Sequence, residues 1–131
     1  MEIRMDLSQV VISDTSDTQY VVLRERSGTR HLPILIGTPE AYAIDRRAKG
    51  DQRARPLTHD LLANVLEALS AELEKIVIND LHDHTFYAKL VIRIGGEIVE
   101  VDSRPSDAIA LGVATEVPIF VEEHVLQEAA K

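Results

Sequence analysis

The chain has no cysteine, no tryptophan and only five aromatic rings, Tyr20, Tyr42, Phe86, Tyr87 and Phe120, in 131 residues. Without cysteine there is no disulfide staple, no thiolate nucleophile and no cysteine-held zinc. With so few rings the core must rest on valine, isoleucine, leucine and alanine, and aromatic platforms for stacking unpaired bases are scarce. Long apolar runs are also missing. The longest, Ala108 to Ala114, falls far short of the roughly 20 residues a membrane-spanning helix needs. The opening Met-Glu-Ile-Arg-Met-Asp holds no signal-like apolar region, so a cytoplasmic location is expected. Cationic charge is in deficit, 14 Lys and Arg against 22 Asp and Glu. The resulting net charge of −8 opposes nonspecific attraction to phosphate backbones. Phosphate loop, dinucleotide glycine fingerprint, His-Glu-x-x-His and nucleophile elbow are all absent.

What is present describes one globular domain: 45% hydrophobic and 27% charged residues in a chain too short for two ordinary cores. Charge is unevenly spread. Arg46, Arg47, Lys49, Arg53 and Arg55 crowd one stretch, whereas Glu97 to Lys131 holds eight acids against Arg104 and Lys131. The basic run reads most simply as a solvated helix end and loop, with a local basic patch as the alternative.

Period-two alternation from Ile3 through Ile12 predicts a half-buried strand, and Tyr20 to Arg26 and Leu32 to Ile36 predict two more, with Pro33 pushing the third toward an edge. The period changes at Gly37-Thr38-Pro39-Glu40, where Thr38 is the expected cap, Pro39 suits the first turn and Glu40 complements the positive end of the dipole. That helix should close near Gly50, with Asp51 to Arg55 a polar connector. From Thr58 the residues Leu61, Leu62, Val65, Leu66, Leu69 and Leu73 form an apolar stripe at helical spacing, opposed by Asp60, Asn64 and Glu67. Ile76 to Asp80, Phe86 to Ile94 and Ile98 to Asp102 predict a meander, its second turn made by Gly95-Gly96. Pro105 opens a helix that is apolar nearly all round and so should be sandwiched. Pro118 to Val121 predicts a short strand and His124 to Ala130 a last helix.

Arg55-Pro-Leu-Thr-His-Asp60 and Arg104-Pro-Ser-Asp107 each place an Arg-Pro pair and an acid at the mouth of an apolar helix. His59, at the margin of the apolar face, is a candidate general base or metal ligand, because imidazole titrates near neutrality. Its plainer reading is a locally bonded helix-mouth histidine. Asp102, Arg104 and Asp107 put two carboxylates and a guanidinium within six residues, a set suited to a divalent ion and a phosphate. A simple ion pair or helix cap is the duller alternative. Asp80-Leu-His-Asp-His84 reads as a solvated hairpin turn rather than a metal cluster.

Leu32-Pro-Ile-Leu-Ile-Gly37, Glu40-Ala41, Arg55-Pro-Leu-Thr-His-Asp-Leu-Leu62, Asp80-Leu81, Thr85-Phe-Tyr-Ala88, Asp102-Ser-Arg-Pro-Ser-Asp-Ala-Ile-Ala-Leu111 and Pro118-Ile119 together resemble the bifunctional nuclease domain family across nearly the whole chain. The resemblance implies a single α+β domain spanning 1–131, with a mixed, largely antiparallel sheet packed with about four helices, assembled as a homo-oligomer. It implies nuclease activity on RNA and DNA. The matching positions nominate His59, Asp60 and Asp107 as catalytic, Arg55 and Arg104 as substrate-binding, and Asp102 with Asp107 as holders of Mg²⁺ or Mn²⁺. Two departures stand out: His84 where a glycine is common, and Arg46 with Arg47 where the first helix is often more apolar. The competing class is a non-catalytic oligomeric binding or regulatory module, favoured by the acidic charge.

Overall fold

Seven strands form the sheet in the computed structural model, which describes residues 1–51 and 53–131. They are β1 (Glu2–Val11), β2 (Thr18–Glu25), β3 (His31–Gly37), β4 (Glu72–His82), β5 (Thr85–Ile94), β6 (Glu97–Ser103) and β7 (Ile119–Glu122). Four α-helices join them: α1 (Thr38–Ala48), α2 (Thr58–Ala68), α3 (Pro105–Gly112) and α4 (Glu123–Ala129), with a single 3₁₀ turn at Val113–Thr115. The strand order is β3-β2-β1-β7-β4-β5-β6. Every neighbouring pair is antiparallel except β7 with β4. This is the expected α+β domain with a mixed, largely antiparallel sheet. The expected connector 51–55 includes Gln52, which lies outside the described residues.

Burial alternates along β2 and β3, whereas Ile76 to Ile78 of β4 and Leu90 to Ile92 of β5 are buried without alternation. One face of the sheet is apolar. Leu23, Ile34, Ile76, Ile78, Leu90 and Val121 point from it into a core shared with Ala41 and Ile44 of α1, Ile109 of α3 and Val125 of α4. Each of the leucine, isoleucine and valine side chains stabilises by roughly 1.5–3 kcal/mol on leaving water. Pro33 sits in β3 at the sheet edge, where its missing N–H costs no ladder bond. The sandwiched α3 is also as expected, with every residue buried except Asp107. Gly112 permits its close approach: a Cβ there would lie 2.8 Å from Cδ1 of Ile76.

Two details depart from expectation. Gly37, not Thr38, precedes the first turn of α1, and Thr38 instead donates its hydroxyl to the Asp17 carbonyl at 3.2 Å. The larger departure is α2. None of its residues is buried, and Leu61, Leu62, Val65 and Leu69 of the apolar stripe are exposed. The helix rests on α3 and β4 through the side carrying His59, Ala63 and Leu66.

Candidate active site

Pro105 fixes the first turn of α3, and Asp107 follows in that turn, where an acid complements the helix dipole. Its carboxylate does not cap backbone N–H groups. Oδ1 lies 3.0 Å from Nε2 of His59, and Oδ2 accepts from Nε of Arg104 at 2.9 Å. The mouths of α2 and α3 therefore meet through one carboxylate–imidazole contact. Nη2 of Arg104 lies 3.7 Å from Oε2 of Glu40 at the start of α1, so three helix beginnings converge. They border a cleft of about 560 Å³ whose walls include Glu40, Lys49, Arg53, His59, Arg104 and Asp107.

Burial of Asp107 favours its neutral form, but hydrogen bonds from His59 and Arg104 outweigh burial and hold its carboxyl below the usual range. A carboxylate kept ionised can only accept, so Nε2 of His59 is the donor, and in the neutral ring Nδ1 is then the nitrogen that carries the lone pair. That tautomer suits a general base, with Asp107 steadying the imidazolium that proton uptake creates. Arg104 is two-thirds exposed, so its remaining N–H groups are accessible to an anion.

Asp60, one residue along α2, faces elsewhere. Its Oδ2 accepts from the Leu57 N–H and from Nη2 of Arg46, both at 3.0 Å, and its Oδ1 accepts from Nη1 of Arg47. Arg46 and Arg47 are only 8% and 9% exposed. Their second positive charge is met by carbonyls: Arg46 donates to Asp51 O at 3.2 Å, and Arg47 to Ala110 O at 2.6 Å and Leu111 O at 3.0 Å. Those last two lie toward the negative end of α3. Asp60 therefore ties α1, α2 and α3 together, with both oxygens occupied. Burial works against its ionised form, but the Leu57 N–H and the two guanidiniums hold its carboxyl below the usual range.

A family profile for the bifunctional nuclease domain matches residues 21–131. The chain belongs to that family. An uncharacterized protein of Mycobacterium tuberculosis (strain ATCC 25618 / H37Rv) is 44% identical over 109 residues, which cover 83% of this chain and 65% of that protein. Bifunctional nuclease 1 of Arabidopsis thaliana is 26% identical over 109 residues, 80% of this chain and 34% of the plant protein. Bifunctional nuclease 2 of Oryza sativa subsp. japonica is 26% identical over 114 residues, 84% of this chain and 35% of its own length. The chain thus spans about two thirds of the mycobacterial relative and a third of the plant ones. The profile starts inside β2, yet β1 lies in the middle of the sheet and joins β2 to β7.

Within this bifunctional nuclease domain the nominated residues divide. His59, Arg104 and Asp107 come together. Asp60 does not join them, because the buried arginines draw it inward. Asp102 stands in register with Lys89, and strand alternation turns it to the sheet face opposite Leu90 and Val101. Arg55 is exposed in the connector and does not border the cleft. Among the described residues no group of three or more His, Asp or Glu is placed to hold a metal ion, and both Asp107 oxygens already have partners. The residues as arranged do not fit the Mg²⁺ or Mn²⁺ set expected of Asp102 and Asp107. Sequence reasoning missed Glu40, Lys49 and Arg53 as cleft residues, although Glu40-Ala41 is one of the family-like motifs. The hairpin turn expected over Asp80 to His84 is shorter: Asp80, Leu81 and His82 belong to β4 and pair with β5, and only Asp83 and His84, at φ 50 and 65, make the turn. A larger groove of about 700 Å³ between β3 and the β4–β5 hairpin shares Arg104 with the cleft but lacks its carboxylate–imidazole pair. Among the described residues no helix is long and apolar enough to cross a membrane.

Proposed function

We propose that the chain hydrolyses phosphodiester bonds of RNA or DNA strands in the cleft between the mouths of α2 and α3. The observation that carries this reading is the His59–Asp107–Arg104 set, an oriented imidazole beside an accessible guanidinium. His59 takes a proton from the attacking water at Nδ1. The water oxygen bonds to phosphorus as the ester oxygen leaves, and the proton passes from the imidazolium to that oxygen. Arg104 grips the phosphate, with Lys49 and Arg53 offering further cations along the wall. These local cations offset the acidic body where the strand must lie. The names of the plant relatives support the same chemistry.

The test is cleavage of end-labelled single-stranded RNA and DNA by protein freed of contaminating nuclease. His59→Ala and Asp107→Asn are expected to slow it by at least about 100-fold, the lower end of what a positioned general base contributes. Parental rates in both variants would reject the assignment. A second reading has its own observation: both Asp107 oxygens are engaged, so the set also serves as a tie between α2 and α3. In that case the parent shows no turnover and Asp107→Asn mainly lowers stability.

A further inference from the structure

Arg104 borders two spaces. On one side lies the cleft with Asp107 and His59, and on the other the groove of about 700 Å³ whose wall includes Pro105 and Ser106 of the same helix mouth. That volume falls in the ordinary range of small-ligand sites, roughly 300–1,000 Å³. Leu32 and Ile34 of β3 line the groove from one side and Leu81 and Phe86 of the β4–β5 hairpin from the other, Phe86 being its one aromatic ring. Its one acid, Glu128, has Lys131 at 3.1 Å, which offsets the charge.

The Ser106 end of the groove is polar and unfilled. Ser106 is only 5% exposed, lines the groove, and makes no hydrogen bond through its hydroxyl among the described residues. The N–H groups of Ser106 and Asp107 are also without an acceptor: no side chain caps α3, and the first backbone bond to its N-cap, Arg104, comes from the Ala108 N–H at 3.1 Å. Free N–H groups at a helix beginning attract anions. Here they stand beside a buried unused hydroxyl and an exposed guanidinium.

We infer that the groove holds one unpaired nucleotide of the strand, next to the bond cut in the cleft. Its base lies against Phe86 and the apolar walls, and its phosphate binds the mouth of α3 through Ser106 and Arg104. The inference rests on the nuclease reading of the cleft and names its substrate class, a single strand. Because Arg104 lines both spaces, a strand crossing it presents one phosphate to the cleft and the next to the groove. A base can enter such a groove only when it is out of its stack and free of a pairing partner. One ring and one helix mouth suffice for one nucleotide, which fits a chain with few aromatics and a net charge of −8.

The test uses the wild-type chain and adenosine 5′-monophosphate, which has no phosphodiester bond to lose. Titration followed by amide NMR should shift Ser106 and Phe86 and leave Ile98 and Val99 of the far edge strand unmoved. Adenosine and inorganic phosphate, each lacking half of the ligand, should bind at least about tenfold more weakly. Ser106→Ala removes only the hydroxyl oxygen and should weaken monophosphate binding about tenfold, the order of one hydrogen bond to a charged group. Phe86→Leu should weaken it about fivefold, the lower end of what a stacked ring contributes. Inorganic phosphate bound as tightly as the nucleotide, shifts confined to the surroundings of His59, or no binding at all overturns the inference. Binding is read without cleavage. A chain that takes the monophosphate and cuts no strand loses the nuclease reading and keeps the groove site, while one that cuts strands without taking the monophosphate loses the groove site alone.

Discussion

The two Arg-Pro-led helix mouths look alike in sequence and differ in the folded chain. At α2 the acid turns to two buried guanidiniums and a backbone N–H, which occupy both of its oxygens. At α3 the acid turns to a cleft, shares its charge with an imidazole and an exposed guanidinium, and leaves both partners with unused donors or lone pairs. A shared motif thus specifies a helix beginning, while the elements packed beside it decide whether the acid becomes structure or chemistry. His59 belongs to the first mouth by chain position and to the second by contact.

Removing each acid should separate the two roles. Asp60→Asn leaves two buried cations sharing only carbonyl partners, and breaking a buried ion pair costs about 3–5 kcal/mol. Urea unfolding should show a loss of that size. Asp107→Asn should cost less, about 1 kcal/mol, because its arginine partner is exposed and an amide oxygen can still accept from the largely buried His59 ring. Equal losses would erase the distinction between the mouths.

Much of this architecture is legible in the sequence, and the failures have physical causes. Strand alternation and the all-round apolar α3 survive folding because each is a local pattern with one way to be buried. The α2 stripe was legible as helix but not as surface, since periodicity reveals that a helix has an apolar side without saying what covers it. Arg46 and Arg47 read as solvated because their carboxylate arrives 14 and 13 residues later, across a turn in the chain. Glu40 read as a dipole complement because its approach to Arg104 is made by tertiary packing alone. Asp102 is the reverse case. Closeness in sequence to Asp107 suggested a pair, yet its place opposite Val101 in strand alternation already pointed it away.

Acid titration sharpens the comparison further. Both Asp60 and Asp107 have folded pKa values below the ordinary aspartate value of 3.8. The unfolded chain therefore binds more protons than the folded one just below that value, and stability falls as pH drops toward the lowered folded pKa. Above the ordinary range the contribution is complete. Asp60→Asn should flatten the acid limb of stability between pH 5 and 3. Asp6→Asn should leave that limb nearly unchanged, because the Asp6 pair with Arg26 is exposed and screened. An unaltered acid limb in Asp60→Asn would mean that the carboxylate is not held by its arginines in solution.

Exchanging arginine for lysine at one mouth and then the other tests the same contrast through the cations, with the smallest stability change expected at Arg104. Arg47 reaches Asp60, Ala110 O and Leu111 O with three separate nitrogens of one planar fork, which a single ammonium cannot reproduce. Arg47→Lys should cost about 1–2 kcal/mol of stability, in line with the loss of hydrogen bonds to a charged group. Arg104→Lys keeps a cation in the cleft but loses the fork. It should shift stability by less than about 0.5 kcal/mol, as at most exposed positions, while raising KM for a labelled strand more than it lowers kcat. If Arg104→Lys destabilises as much as Arg47→Lys, the α3 mouth is also a structural joint, and the cleft loses its phosphate ligand.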